Sequence, residues 1–309
     1  MKKLILILAI VITSCTQSKT KKETQYVDIE RVTKDLTVLT QTQQSRNYKN
    51  VETLDTIAAY IHKELHKVCD STNYQKYQVQ NNEYKNVIGS IGTENKNRII
   101  IGAHYDVFEE QQGADDNASG VSGLLELARL LSKEKLKYRI DFVAYTLEEP
   151  PFFRTQQMGS YIHANYLADN KIPVKGMICL ETIGYFNEKE NSQNYPVKGM
   201  NLIYGNKGNF ITVVQSKKSG KFGKEIEKLM KQNNLIETKA FNAPSSLTGV
   251  DFSDHLNYWK LDYEAVMITN TAFFRNENYH NEGDTLETLD IKKMSLVIEA
   301  LYLSMKQIK

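Results

Sequence analysis

The sequence predicts an α/β fold, a three-layer αβα sandwich in which helices cover both faces of a mostly parallel, mixed central sheet. Strand-like runs alternate with helical patterns of ten or more residues along most of the chain, which is typical of such sheets. One run, 99–101, consists of three isoleucines, as expected of a strand buried on both faces. With 41% hydrophobic and 25% charged residues among 309, the composition excludes a disordered chain and a multi-pass membrane protein.

Two amphipathic helices are predicted first, because apolar residues recur at helical spacing over 29–39 and over 51–68. Asn50 stands at the N-cap position of the second helix. Strands and helices then alternate without a repeat of 20 to 50 residues, so we expect one unit. Strands are predicted at 74–79, 84–91, 98–102, 139–146, 174–180, 200–204 and 265–269, and helices at 119–131, 155–167, 222–230 and from Asp290, as N-cap, to the C-terminus.

The charge and cysteine content exclude a nucleic-acid-binding protein and a disulfide-stapled one. The chain has 39 basic and 37 acidic residues, without the long basic stretch that nucleic-acid binding requires. Three cysteines, Cys15, Cys69 and Cys179, are too few to staple a chain of this length. We therefore expect a fold that rests on its hydrophobic core and has no nucleic-acid partner.

The N-terminus predicts export. Basic residues at 2–3 precede an apolar run at 4–12, which is too short to span a bilayer as a helix. The run ends in ITSC, which resembles the lipobox of bacterial lipoproteins and implies a signal peptide at 1–14 and acylation of Cys15. We expect a lipoprotein anchored to a membrane of the bacterial cell envelope, the outer membrane or cell surface; an ordinary secretory signal with an incidental cysteine is the alternative.

The polar segment that follows predicts a flexible tether at 15–25. Residues 16–25 contain hardly any apolar side chain and cannot offset the entropy cost of packing. The domain boundaries expected from the sequence are therefore a signal peptide at 1–14, this tether, and a single domain at 26–309.

Imidazoles and carboxylates follow the predicted strands, where a parallel sheet gathers its ligands. His104 and Asp106 lie two apart in an extended segment and so share a face. A metal-bound histidine commonly donates its other ring N–H to a carboxylate, so Asp106 is expected behind His104, and Asp284 behind His280. The adjacent acids of LEEPP point in opposite directions, so one can bind metal while the other serves as general base.

Taken together, the segments GAHYD, GADDNASG, LEEPPFF, LETIGYF and YHNEGDT resemble the ordered motif set of metallopeptidase family 28, the co-catalytic zinc aminopeptidases and their glutaminyl cyclase relatives. The resemblance implies a zinc-peptidase, phosphorylase/hydrolase-like fold and two Zn²⁺ per chain. It also implies the residue roles: His104 binds one zinc, His280 binds the other, Asp116 bridges both, Glu149 and Glu181 complete the two sites, and Glu148 is the general base.

Two positions depart from some relatives. Glu181 stands where certain aminopeptidases have aspartate, and the longer side chain bears on specificity. A tyrosine that assists the oxyanion in some relatives lies three residues before a Ser-Asp-His motif, which here is 253–255, and Val250 takes its place. The resemblance therefore implies that oxyanion stabilisation comes from zinc or from another group.

The expected function is a zinc-dependent exopeptidase, an aminopeptidase acting on peptides with a free N-terminus. A glutaminyl-peptide cyclotransferase and a non-catalytic binding lipoprotein are the alternatives, and carboxypeptidase activity, known among relatives, stays open. A second histidine pair in HKELH has Lys63 where a metalloprotease helix needs glutamate, so His62 and His66 are expected to face solvent. His163 is interpreted in the same way.

Overall fold

A computed structural model describes residues 24–309; the predicted signal peptide, Cys15 and most of the predicted tether lie outside these residues. The described chain forms an eight-stranded sheet with helices on both faces, which confirms the α/β sandwich. The strands are β1 (Ser71–Val79), β2 (Asn82–Ile91), β3 (Arg98–His104), β4 (Arg139–Tyr145), β5 (Val174–Glu181), β6 (Ile211–Gln215), β7 (Thr238–Asn242) and β8 (Ala265–Thr269).

The sheet is mixed, with a parallel centre that is flanked on each side by an antiparallel strand pair. Its strand order is β1-β2-β4-β3-β5-β8-β6-β7. The four central strands, β4, β3, β5 and β8, run parallel to one another, whereas β2 pairs antiparallel with β4 and β6 antiparallel with β8. The carboxyl ends of the four central strands therefore meet at one edge of the sheet.

Two helical layers bury the sheet. The helices are α1 (Ile29–Thr40), α2 (Val51–His66), α3 (Gly120–Leu131), α4 (Gly159–Asp169), α5 (Asn201–Tyr204), α6 (Gly220–Asn233), α7 (His255–Lys260) and α8 (Ile291–Gln307). Ile99 and Ile101 point into the core under α1, α2, α3, α6 and α8, while Ile100 points into the core under α4 and α7. Within residues 24–309, no helix is both long and apolar enough to cross a membrane.

One predicted strand is wrong, and three elements were not predicted. Residues 200–204 lie in the short helix α5 rather than in a strand. Gly199 and Gly205 flank it with φ of 87° and 82°, which interrupts an extended run, and Leu202 and Ile203 are 87% and 78% exposed. Strands β6 and β7 have five residues each, too few for a clear period, and α7 has only six.

The two predicted N-caps differ in their hydrogen bonds. Asp290 accepts a hydrogen bond from the backbone N–H of Lys293 at 3.0 Å and so caps α8 as expected. Asn50 precedes α2, but its amide donates to the backbone carbonyl of Ser45 at 2.8 Å and does not cap the helix.

The described chain begins against α8. The Thr24 hydroxyl and the Gln25 backbone N–H both donate to the buried carboxylate of Glu299, the latter at 2.7 Å. The Asp28 backbone N–H donates to buried Glu126 of α3 at 2.8 Å. The last residues of the predicted tether are therefore bound to the helical layer that contains α3 and α8.

A buried carboxyl between α1 and α2 predicts a pH effect on stability. Asp35 accepts a hydrogen bond from Tyr60, and burial raises its pKa from 3.8 to about 6. Because the folded state binds this proton more tightly than the unfolded state, stability falls as pH rises from about 4 to about 6. We expect Asp35→Asn to raise the free energy of unfolding at pH 7 by up to about 3 kcal/mol and to change nothing below about pH 4.

Urea unfolding of both proteins across this pH range measures the difference. Glu52→Gln, on the exposed side of α2, is the matched control for the loss of a carboxylate. A gain in stability that is equal at pH 3 and pH 7 would contradict the assignment.

Candidate metal centre

The first donor group lies where β3 and β5 end side by side. His104 is the last residue of β3 and Glu181 the last residue of β5. The His104 Nε2 atom lies 3.2 Å from Asp116 Oδ1 and 3.4 Å from Glu181 Oε2. All three side chains are buried. Asp116 comes from the turn Ala114–Ser119, which leads into α3 and in which Asp116 itself has a non-helical backbone, with φ of −110° and ψ of 90°.

The second donor group uses the other oxygen of the same aspartate. The His280 Nε2 atom lies 3.1 Å from Asp116 Oδ2 and 3.2 Å from Glu149 Oε2. Glu149 follows β4, and His280 lies in the loop after β8. Asp116 therefore stands between two imidazoles, each accompanied by one further carboxylate.

The donor atoms fit a pair of metal ions. In each group one imidazole and two carboxylates offer ligand atoms that lie within 4.8 Å of one another. Both Asp116 oxygens and His280 Nε2 are inaccessible to solvent and have no hydrogen-bond partner in the described residues. Buried polar atoms without partners are costly, and nitrogen with carboxylate oxygen is a donor set that zinc accepts. The five side chains expected as ligands are thus brought together.

The two imidazoles and Asp116 polarise one another. Burial raises the pKa of the Asp116 carboxyl, but attraction to the imidazoles of His104 and His280, at 3.2 and 3.1 Å, outweighs burial and holds that pKa below its ordinary value. Burial lowers the pKa of His280, and contacts with Asp116 and Glu149 outweigh it, raising the pKa to about 10. The carboxylates of this site therefore favour positive charge between them.

Asp106 orients His104 through its backbone rather than through its carboxylate. The His104 Nδ1–H donates to the Asp106 carbonyl at 3.1 Å, while the carboxylate Oδ1 lies 3.7 Å from Nδ1. The carboxylate accepts instead from the backbone N–H groups of Glu148 and Glu149, at 3.2 and 3.1 Å. One residue thus positions both a donor imidazole and the segment with the two glutamates.

Asp284 also differs from the expectation that it lies behind His280. Its carboxylate accepts from the backbone N–H groups of Asp115 and Asp116, at 2.9 and 3.0 Å. The His280 ring is held by stacking, with the Phe108 ring centroid at 4.5 Å and the Tyr279 centroid at 3.9 Å. Asp284 therefore fixes the backbone that presents Asp116.

Sequence reasoning missed Asp115, which holds the segments around the site together. Its carboxylate accepts from the backbone N–H groups of Gly184 and Tyr185, at 2.9 and 3.0 Å. It also accepts from the side-chain amides of Asn270 and Asn276, at 2.8 and 3.2 Å. The signal was present in the adjacent aspartates of GADDNASG, since only one of two neighbours can face a given site.

The Ser-Asp-His segment lies directly under the first donor group. The Ser253 hydroxyl donates to Glu181 Oε2 at 2.6 Å, which orients that carboxylate. The His255 imidazole contacts the Val250 carbonyl at 2.9 Å and packs edge-on against Trp259, so it serves the wall behind the site. Asp254 is fully buried, and burial raises its pKa to about 7.

Two histidines outside the site have environments that the sequence did not indicate. His163 is buried, with Nδ1 2.6 Å from the hydroxyl of Tyr258, so its expected exposure is wrong. His62 is half-buried and stacks on Tyr74 at 4.5 Å between ring centroids, whereas His66 is exposed as expected.

A cleft opens over the donor groups and adjoins an apolar pocket. The cleft comprises about 810 Å³, part of it open to solvent, and its lining includes Glu148, Glu149, Glu181 and His280. The adjoining pocket comprises about 690 Å³, part of it also open to solvent, and among the described residues Glu181 is the one acidic side chain in its lining. The pocket walls are mainly aromatic and aliphatic, with aromatic side chains that include Tyr204, Phe210, Phe241, Phe252, Phe273 and Tyr279.

The model of one protein family, Peptidase family M28, matches residues 86–304. The matched part contains His104, Asp116, Glu148, Glu149, Glu181 and His280. The chain belongs to peptidase family M28. The resemblance inferred from the motifs is therefore confirmed at the level of the family.

One similar sequence and two similar solved structures can be compared with this M28 chain. The uncharacterised protein YfbL of Escherichia coli (strain K12) is 41% identical over 280 residues, which cover 88% of this chain and 86% of that protein. The LapA aminopeptidase of Legionella pneumophila superposes with a TM-score of 0.72 at 20% identity, over 91% of this chain and 72% of that one. A glutaminyl cyclase of Bacteroides thetaiotaomicron superposes with a TM-score of 0.69 at 17% identity, over 93% and 100%. At these identities the two structures show a shared fold.

The backbone bonds of Asp284 predict an effect on metal affinity in this M28 chain. Asp284→Asn places an amide N–H against one of two backbone N–H donors, so the Asp116 segment loses a hydrogen bond and shifts. We expect zinc affinity to fall about 10- to 100-fold, the range seen when groups behind a ligand are changed.

Competition with a chromophoric chelator measures this affinity. Asp290→Asn is the control, because asparagine also caps helices and Asp290 touches none of the donor side chains. Unchanged zinc affinity in a folded Asp284→Asn protein would contradict the role given to Asp284.

Proposed function

We propose that this chain is a zinc-dependent aminopeptidase that removes N-terminal residues from peptides. The observation that carries the proposal is the junction of two features at Glu181. On one side lie two donor groups that share Asp116, and on the other lies a pocket with mainly aromatic and aliphatic walls. This junction suits a substrate whose scissile carbonyl lies at the metal centre and whose first side chain enters the pocket.

Five side chains would hold two zinc ions. His104, Asp116 and Glu181 would hold one, and Asp116, Glu149 and His280 the other. Bound there, zinc supplies Lewis acidity toward water and the scissile carbonyl. The protein contributes fixed positions, since Asp106, Asp284 and Ser253 hold the ligand segments by hydrogen bonds of 2.6 to 3.2 Å.

Glu148 is the proposed general base. Its backbone N–H is bound by Asp106, and its carboxyl group is buried with a ligand atom within 4.8 Å of those of His104 and Glu149, outside the two donor groups that share Asp116. Burial raises its pKa well above the ordinary value, which favours uptake of a proton from water and its transfer to the leaving amine. We therefore propose for the adjacent glutamates the same division of roles that the sequence predicts.

The substrate class follows from Glu181 and the pocket behind it. A free α-amine is cationic at neutral pH, and a carboxylate at the mouth of an apolar pocket is a suitable partner for it. Aromatic and aliphatic walls favour apolar first side chains over charged ones. We therefore propose peptides with a free N-terminus and an apolar first residue as substrates.

Glutaminyl-peptide cyclisation is the second candidate. It is favoured by the likeness in fold to the Bacteroides thetaiotaomicron cyclase, which is nearly as close as the likeness to LapA. A glutamine side chain needs amide partners, which the mainly apolar pocket offers sparsely. A purely binding lipoprotein, the third alternative, would have no need for a buried glutamate beside a complete set of donors.

A peptide panel separates these functions. The soluble domain is incubated with peptides that carry free, acetylated and glutamine N-termini, with zinc and with a chelator, and the products are identified by mass spectrometry. Zinc-dependent loss of residues from free N-termini alone supports the aminopeptidase. Loss of ammonia from glutamine peptides means a cyclase, loss from the C-terminus means a carboxypeptidase, and no change favours a binding protein.

Replacement of the proposed base should separate turnover from metal binding. We expect Glu148→Gln to keep both zinc ions, measured by elemental analysis, and to lower kcat about 10²- to 10⁴-fold. Glu94→Gln is the matched control, because Glu94 lies in an exposed turn that is remote in sequence from Glu148. Loss of zinc together with turnover would show that Glu148 is a ligand rather than the base.

We also propose that the protein is exported and held at a membrane of the bacterial cell envelope through Cys15. The support lies in the sequence at 1–25, since the anchor precedes the described residues. Two or more acyl chains give stable anchoring, at about 0.8 kcal/mol for each buried methylene. The peptidase domain would then act on peptides outside the cytoplasm.

Replacement of the lipobox cysteine tests the anchor. We expect Cys15→Ser to move the protein from the membrane fraction to the soluble fraction, since no acyl chain can be attached. Cys69→Ser, in the domain, is the matched control and should remain with the membrane. Membrane association of both variants would contradict the anchor.

A further inference from the structure

Phe252 and Phe273 both stand between the cleft and the apolar pocket. Phe252 lines both cavities. Its ring centroid lies 5.6 Å from that of Phe153, which lines the cleft, and 5.9 Å from that of Phe273, which lines both. The position of Phe252 therefore decides how far the two spaces are separated.

Arg154 contacts the rings of both Phe252 and Phe153. Its guanidinium carbon lies 5.2 Å from the ring centroid of Phe153 and 5.3 Å from that of Phe252. Both distances are within the range of cation–π attraction, which contributes about 0.5 to 1 kcal/mol at exposed sites. The arginine thus joins the loop after β4 to the loop before α7.

Asp251 completes the contact by holding the guanidinium in place. Arg154 donates from both terminal nitrogens to the two Asp251 oxygens, at 2.8 and 2.6 Å. The arginine side chain is 45% exposed, so the ion pair itself adds little to the free energy of unfolding. Its planar, two-pronged geometry instead fixes the orientation of the guanidinium against the two rings.

We propose that the Arg154–Asp251 pair is a clamp that holds Phe252 as the partition between cleft and pocket, and thereby sets the size of the first side chain that the pocket accepts. This inference rests on the proposed aminopeptidase function. Arg154 and Asp251 are positioning residues, since they act through Phe252 and line neither cavity.

The proposal separates large from small first residues. A phenylalanine or leucine side chain fills the pocket and packs against a fixed Phe252, whereas an alanine side chain does not reach far into it. Releasing the clamp therefore raises KM for large first residues, and leaves kcat and the values for alanine nearly unchanged because the metal centre and Glu148 are intact.

Four variants test the clamp. Arg154→Met keeps an apolar stem without charge, and Arg154→Lys keeps the charge without the two-pronged geometry. Asp251→Asn removes the negative charge and one of the two acceptor oxygens of the partner. The fourth variant combines Arg154→Met with Asp251→Asn. Lys231→Met is the control, because it breaks an ion pair with Glu227 on α6, remote in sequence from both loops. Thermal unfolding and zinc content establish that each variant is folded and loaded.

The first measurement is kcat and KM on phenylalanyl, leucyl and alanyl p-nitroanilides. Arg154→Met and Asp251→Asn should each raise KM for the phenylalanyl and leucyl substrates roughly five- to tenfold, with less than twofold change for the alanyl substrate. The KM values of Arg154→Lys should lie between those of the wild type and Arg154→Met. The double variant should not exceed Arg154→Met in its effect on KM. Equal effects on all three substrates, effects confined to kcat, or additive effects in the double variant would overturn the clamp.

The second measurement does not depend on turnover. Calorimetric titration with L-phenylalaninol and L-alaninol, which keep the amine and the side chain but have no amide bond to cleave, should show a fivefold or larger loss of preference for the aromatic ligand in Arg154→Met. If the wild type hydrolyses nothing yet this preference falls, the clamp holds and the aminopeptidase proposal fails. If hydrolysis occurs and the preference is unchanged by Arg154→Met, the clamp fails and the aminopeptidase proposal stands.

Discussion

The buried carboxylate of Asp116, shared between two imidazoles, is the constraint on which the rest of the site depends. Both of its oxygens are inaccessible, and each lies just over 3 Å from a histidine nitrogen. An isolated buried charge of this kind is costly, so the surrounding structure has to keep compensating groups in fixed positions. The bidentate backbone contact from Asp284 and the fourfold acceptance by Asp115 do this, because neither leaves the Asp116 segment free to turn away. The hydrogen bonds that fix the backbone around Asp116 therefore also keep its charge next to the groups that compensate it.

The sheet brings the other donor side chains to Asp116. Because β4, β3, β5 and β8 are parallel neighbours, their carboxyl ends deliver Glu149, His104 and Glu181 to one edge, and the loop after β8 brings His280 back to it. Residues separated by more than 170 positions meet there without any long side chain having to reach. The same edge places aromatic rings beside charged groups, so polar chemistry and apolar recognition share a boundary at Glu181.

How much of this could be predicted depended on whether the signal was local. Unbroken apolar runs such as 99–101 indicate buried strands, and the motifs around His104, Asp116, Glu148 and His280 follow predicted strands, so the central sheet and the assembled donor groups were foreseeable. Short elements were not: α5 depends on two glycines with positive φ, and β6 and β7 are too brief to show alternation. Partner choice was also hidden, because Asp284 and Asp106 bind backbone N–H groups that no side-chain pattern reveals. His163 is buried by tertiary packing against Tyr258, which a helical period does not encode.

The double contact of Asp106 has a consequence for engineering. Its carbonyl fixes the rotation of the His104 ring, while its carboxylate fixes the backbone of Glu148 and Glu149. The positions of one imidazole and two glutamates therefore depend on the same residue. A redesign that moves the imidazole to suit a larger or softer cation would displace the glutamates at the same time. For the proposed enzyme, metal preference and proton transfer are therefore not independent design variables. An altered metal preference would have to be accompanied by rebuilding of the segment after β4.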